Sequence, residues 1–270
     1  MRILVAGGTG FLGNQLVTTA TAQGHDVSGT YFSGAGRDGW HQLDLCDRQA
    51  VDEVVASVRP DVIINTAFRQ SDWRTTADGA AHVALAAARY GARLVQVSSD
   101  ALFSGQDVHY DETAVPDPIS PYGAAKAAAE TAVRAIDPSA VIARTSLIIG
   151  PGSTTDELVR HLATGGDGVL FADDIRCAVA VDDLAAALLE LAESDRSGIH
   201  HVGGAEAIDR YSLGRLIAQR LGLDPAKLRS GTRAGSGIRG PLDVRLDSTA
   251  TQAVLKTRLR GASEFLSPAR

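Results

Sequence analysis

The segment SPYGAAKAAAE sets Tyr122 four residues ahead of Lys126. On a helix that spacing puts both side chains on one face, about one turn apart. An ammonium beside a phenol lowers its pKa, so the phenol can exchange a proton with a carbonyl or alcohol oxygen near neutral pH. A tyrosine and a lysine at this spacing also occur in ordinary helices, and position separates the two cases. The preceding apolar run, RLVQVSSD, ends in Ser98, Ser99 and Asp100, and Ser99 can donate to the same oxygen that Tyr122 protonates. Near the N-terminus, ILVAGGTGFLGNQLV places Gly7, Gly10 and Gly13 after an apolar run and at the opening of an apolar-periodic helix. Glycine there permits a tight turn, lets backbone N–H groups approach a pyrophosphate and allows a helix to pack closely on its strand. A turn chosen for geometry alone is the alternative. In this context the loop is expected to bind a dinucleotide, with Thr9, Phe11 and Leu12 among its contacts.

Those residues need a sheet edge to meet on. Short β-branched runs alternate with longer helical patterns through the first half, the rhythm of βα units and a parallel sheet. Strands are expected at RILVA, DVSGTYF, DVIINTA, RLVQVSS and AVIARTS, with helices at Phe11–Gln23, Asp47–Val58, Thr75–Tyr90 and Pro121–Ala135. Gly24 and Gly91 stand where helices stop, and Asp47 and Ser120 where they start. The expected fold class is α/β: a Rossmann-like doubly wound parallel sheet over residues 1–150 with a smaller C-terminal substrate-binding lobe over 151–270. That lobe is read as interleaved with the core, with helices near Asp156–Ala163, at VDDLAAALLELAES and at YSLGRLIAQRLG, a strand GIHHVGG, and a Gly/Arg-rich loop through Arg239. It would lie over the C-terminal edge of the sheet, where open α/β folds bind ligands.

The 270 residues suffice for a full core, and 44% hydrophobic with 21% charged residues is ordinary for a globular protein. A net charge of -6 offers no basic footprint for nucleic acid or an anionic membrane. With no secretory h-region and no run long enough to span a bilayer, a cytoplasmic protein is expected. Cys46 and Cys177 lie far apart without metal-ligand spacing. His200–His201 would point to opposite strand faces, and Asp182–Asp183 open a helix whose dipole favours acids, so no metal is expected.

The strand DVSGTYFSGAGR lacks the acid that usually holds the adenosine ribose and offers Tyr31, Ser33 and Arg37 instead. A guanidinium with hydroxyl neighbours suits a 2′-phosphate, which favours NADP(H) over NAD(H); a solvated Arg37 is the plainer reading. In LDLCD the Asp44 carboxylate can accept from an adenine amino group, with Leu45 flanking the ring.

Taken in order, GGTGFLG, DLCD, SSD, YGAAK, RTSLIIGP and VAVDDLA resemble the extended short-chain dehydrogenase/reductase superfamily over nearly the whole chain. RPDVIINTA, SSDALFSG, DETAVPDPISPYGAAKAAAE, IRCAVAVDDLA and PLDVRLD look most like the dTDP-4-dehydrorhamnose reductase family. The resemblance implies a catalytic Ser99, Tyr122 and Lys126, with Tyr122 and Lys126 also contacting the cofactor. It further implies that Thr66, Ala67 and Phe68 line that cofactor, and that a homodimer can form. Ala101 stands where dehydratase relatives carry a catalytic acid, which argues against water elimination. Ala101, Leu147 and RQSDWRTTADGA depart from the rhamnose-forming pattern and leave the sugar open. The expected activity is hydride transfer to the ketone of a nucleotide-linked 4-keto-6-deoxysugar or a similar small carbonyl compound. Asp100, Arg176 and Arg239 are candidate substrate contacts, each with a structural alternative. Two other readings stay open: a cofactor-binding regulatory subunit, and an epimerase with tightly held NAD.

Overall fold

The computed structural model describes residues 1–34 and 36–267. Seven parallel strands form the main sheet. Its first five strands in chain order are β1 (Arg2–Ala6), β2 (Asp26–Tyr31), β3 (His41–Gln42), β4 (Val62–Asn65) and β5 (Arg93–Ser99). Across the sheet the order is Gly198–His201, Val141–Thr145, β5, β4, β1, β2, β3. Strand order reverses between β1 and β4, which opens a crevice at their C-terminal ends.

Alternation along the strands feeds two apolar layers. Ile3 and Val5 point to the face covered by α1 (Phe11–Ala22) and α6 (Val181–Glu193), where Leu16, Leu184 and Leu188 are fully buried. Leu4 points to the other face, against α2 (Arg48–Val58), α3 (Gly79–Tyr90) and α4 (Pro121–Ile136). The helix starts follow capping chemistry: Asp47 accepts from the Ala50 amide at 3.0 Å and Ser120 from the Gly123 amide at 3.1 Å. Gly91 closes α3 in the left-handed region at φ 70°.

Two expectations are corrected here. The helix expected from Thr75 starts as a π-helical turn, Arg74–Asp78, and becomes α-helical only at Gly79. Gly79 lies so close to Leu45 that a Cβ there would fall 2.8 Å from the Leu45 Cβ. GIHHVGG, read as part of the lobe, instead supplies the outer strand of the main sheet, with Ile199 opposite Ile142. The neighbouring helix α6 covers α1, so residues 181–201 are layered with the sheet.

The remaining C-terminal residues gather around Val159 of α5 (Thr154–Ala163), Leu213 and Ile217 of α7 (Arg210–Arg220), and Leu170. A second sheet orders Ile208–Asp209, Ile175–Arg176, Asp243–Leu246 and His109–Tyr110, tying this part to a strand from the first half. The Gly/Arg-rich stretch contains a short helix, Arg233–Ser236. No helix among the described residues is long and apolar enough to cross a membrane, and no cluster of metal-ligating side chains occurs among them.

Candidate functional site

The glycine loop closes on its own backbone. Gly7 adopts φ +80° and abuts Ala67, so a Cβ there would meet Ala67 at 3.0 Å in a strained conformation. The Gly10 amide donates to the Gly7 carbonyl at 2.9 Å, and a Cβ on Gly13 would sit 2.1 Å from that same oxygen. No side chain caps α1, so its first-turn amides at Phe11, Leu12 and Gly13 point out of an open helix end, which favours an anion. Thr9 and Phe11 are exposed beside it, whereas Leu12 is packed into the core. The Thr66 hydroxyl donates to the Ala6 carbonyl at 2.9 Å and holds the end of β4 against this turn. These residues fit a dinucleotide pyrophosphate. Gly13→Val forces the turn to shift, at a cost of about 1–3 kcal/mol, and is expected to weaken NADPH binding by roughly 10- to 100-fold. Calorimetric titration checks this.

At the adenosine end, the absence of a side chain on Gly8 and Gly29 makes room for Trp40, whose ring lies 2.8 Å from where either Cβ would stand. Arg37 stacks over Trp40, 4.9 Å from the ring centroid, and donates to Asn14 Oδ1. Tyr31 packs under Gly36, and Ser33 is exposed. Asp44 is exposed and accepts from the Cys46 amide at 2.9 Å. Leu45 departs from expectation. It is buried in the core beside Gly79, so its side chain does not flank an open groove.

At the end of β5 the structure brings Ser99, Tyr122 and Lys126 together. Gly123 makes the approach possible, because a Cβ there would fall 2.0 Å from the Ala101 carbonyl oxygen. The first turn of α4 therefore packs directly on the turn Asp100–Leu102 that follows Ser99. Ser99 Oγ accepts from the Ala101 amide at 3.2 Å and donates to Asp100 Oδ1 at 3.3 Å. Lys126 is 3% exposed, with Nζ donating to the Val97 carbonyl at 3.1 Å. That ammonium lies 5.2 Å from the Phe68 ring centroid and 5.9 Å from that of Tyr122, and the two rings are 5.7 Å apart.

Burial governs the charges here. It pushes Tyr122 up to about 12, with Ser99 pulling in the opposite direction. Burial also brings Lys126 down to about 8, opposed by the Glu130 carboxylate. Spacing alone suggested a phenol made more acidic by its lysine. The structure instead keeps Tyr122 protonated at neutral pH, because desolvation of the phenolate outweighs the help it receives.

Glu130, one turn beyond Lys126, accepts from Ser98 Oγ at 2.5 Å and from Arg144 Nη2 at 2.8 Å, with Arg144 Nε at 3.1 Å from its other oxygen. Glu130 and Arg144 are both buried. Glu130, Arg144, Gly123, Trp40 and Asn14 were not foreseen as site supports; only Glu130 and Gly123 carried a local signal, through their places on the Tyr/Lys helix.

Two substrate candidates are already occupied within the fold. Arg176 donates to the carbonyls of Ile175, Leu242 and Pro241 at 2.6, 3.0 and 2.6 Å and pairs with Asp174 at 3.0 Å. Nη1 and Nη2 are thereby engaged inside the fold, and the side chain is buried rather than turned out to a substrate phosphate. Asp100 is buried, accepts from Ser146 Oγ at 2.6 Å and lies 3.7 Å from Arg176 Nε, so its carboxylate is engaged rather than offered to a sugar hydroxyl. Arg239 is exposed and lines a cavity of about 430 Å³ with Ile119, Arg233, Ile238 and Leu242. Ile119 immediately precedes the cap of α4, which puts this cavity beside the helix that carries Tyr122. Asp182 and Asp183 both pair with Arg260.

Residues 1–266 match the family model described as the RmlD substrate binding domain. The probable low-salt glycan biosynthesis reductase Agl14 of Haloferax volcanii is 31% identical over 254 residues, covering 87% of this chain and 85% of that protein. A dTDP-4-dehydrorhamnose reductase of Mycobacterium tuberculosis is 31% identical, covering 84% and 78%. A crystal structure of a hypothetical dTDP-4-dehydrorhamnose reductase from Sulfolobus tokodaii superposes with a TM-score of 0.85 at 29% identity, covering 96% and 97%.

Proposed function

The chain belongs to the RmlD substrate binding domain family of the extended short-chain dehydrogenases/reductases, and from that premise we propose that it reduces the ketone of a nucleotide-linked 4-keto-6-deoxysugar with NADPH. The observation that carries this reading is the meeting of Ser99, Tyr122 and Lys126 at one strand edge, beside a glycine loop built for a pyrophosphate. The glycine loop, Thr66, Ala67 and Phe68, with Arg37 at the adenosine end, would hold NADPH, which when bound would supply the hydride.

The chain's own residues handle the oxygen. Ser99 Oγ exchanges its weak donation to Asp100 for one to the substrate carbonyl, which polarises it. Tyr122 Oη gives its proton to the forming alkoxide, a far stronger base than a phenolate, so a phenol pushed up to about 12 still transfers it downhill. Lys126, charged below about 8, lies beneath both aromatic rings and stabilises the phenolate that results. The exposed Arg239 and the cavity beside α4 suit the nucleotide diphosphate, and further substrate contacts are assigned to the C-terminal residues outside 181–201.

The test is NADPH oxidation with a panel of nucleotide 4-keto-deoxysugars, followed by loss of the reduced-nicotinamide absorbance. Turnover of at least one member is expected. If NADPH binds and no member reacts, the substrate class falls and a cofactor-binding partner role takes its place.

A further inference from the structure

Arg69 and Phe32 meet across the mouth of the dinucleotide crevice. Phe32 directly follows β2 and Arg69 lies four residues beyond β4, while β1, with its glycine loop, runs between those strands. Neighbouring strands are about 4.8 Å apart, so the two chain segments start roughly 10 Å from each other. The Arg69 guanidinium nevertheless lies 4.3 Å from the Phe32 ring centroid. Both residues are exposed, Phe32 at 46%.

The backbone of Arg69 is pinned while its side chain is not. The Arg69 amide donates to Thr76 Oγ1 at 3.1 Å, and that hydroxyl donates back to the Arg69 carbonyl at 2.8 Å. Thr76 is itself buried in the π-helical turn. Among the described residues the guanidinium has no ion pair. Asp72 feels its charge but is committed to Thr75 Oγ1 at 2.6 Å and to the Arg74 amide at 3.0 Å. In a chain of net charge -6, a cation left on an aromatic ring at the end of β2 is placed where an anion is to arrive.

We propose that Arg69 is a second determinant of NADP(H) selectivity: it roofs the adenosine end of the crevice on Phe32 and transfers to the 2′-phosphate when the dinucleotide binds. The location selects that phosphate over the pyrophosphate, which belongs to the open end of α1, whereas the end of β2 is where the adenosine ribose hydroxyls lie. Arg37, stacked on Trp40 and bonded to Asn14, follows β2 as well and would share the same group. Guanidinium suits both states, since it stacks on aromatic faces and binds phosphate through two donors. The inference rests on the NADPH reading above.

The experiment is calorimetric titration of NADPH and NADH into the full-length protein and into Arg69→Ala, Arg69→Lys and Phe32→Ala, without any sugar substrate. Arg69→Ala is expected to weaken NADPH by about tenfold or more and NADH by less than about twofold. Arg69→Lys should recover part of the loss. Phe32→Ala, which removes the resting stack, should bind NADPH at least as tightly as the parent and associate faster. Equal loss for both dinucleotides in Arg69→Ala, or no loss for either, overturns the proposal while leaving the NADPH reading intact. A parent protein that prefers NADH overturns both.

Discussion

Tyr122→Phe is expected to lower kcat for ketone reduction by roughly 10²- to 10⁴-fold, the usual contribution of a positioned general acid, while NADPH affinity changes little. The Phe68 and Tyr122 rings are 5.7 Å apart, and phenylalanine keeps that contact, so a loss falls on proton transfer rather than on packing. The pH profile separates the two buried groups. Tyr122, pushed up to about 12, keeps its proton through the working range. Lys126 gives up its own as pH rises through about 8, so the parent's kcat should decline above that point as the cation beside the phenol is lost. Rapid-mixing kinetics with saturating NADPH measures both effects. An undiminished rate in Tyr122→Phe, with cofactor bound, would remove Tyr122 from the chemistry.

Arg144→Met is expected to cost about 3–5 kcal/mol of stability, because it leaves the Glu130 carboxylate buried without its partner. For a chain of this size that corresponds to a fall in Tm of roughly 10 °C. Ser98 then remains as the hydrogen-bond donor to Glu130, with the Lys126 ammonium acting on it only through its charge, and the guanidinium stacked 5.2 Å over Phe103 is lost as well. The double variant Glu130→Leu/Arg144→Met should recover much of the loss, since an apolar replacement of a buried pair is often neutral. Urea denaturation of the three proteins decides it. A single variant within about 1 kcal/mol of the parent would mean that water or rearrangement satisfies Glu130.

Local spacing carried the parts of the molecule that local physics builds. The glycine loop needs its residues within one turn, and the Tyr122–Lys126 pair needs only helical periodicity; the capping residues Asp47 and Ser120 act three residues away. Distant partners were not legible. Arg176 looked like a ligand for phosphate because nothing near it in the chain reveals that the carbonyls of Pro241 and Leu242 take its donors. Gly198–His201 is too short and too polar to announce that it completes the main sheet. The raised pKa of Tyr122 was missed for a related reason, since burial is a property of the assembled site and not of spacing. No periodicity links Phe32 to Arg69, which meet only because β2 and β4 flank β1.

The late arrival of Gly198–His201 also shapes how the chain comes together. Its register partner, Val141–Thr145, precedes it by 57 residues at each matched pair, as between Val141 and Gly198. During synthesis that inner strand emerges with its outer edge bare, a template for pairing with another chain. Arg245 then returns to His109 across a still longer stretch. Loop closure of this length makes such pairings slow to form. Nucleation is therefore expected where matched strands lie nearer in the chain, β1 with β2 at 24 residues (Arg2 and Asp26) and β4 with β5 at 31 (Val62 and Arg93), and Gly198–His201 acts as the seal on the open edge of the main sheet.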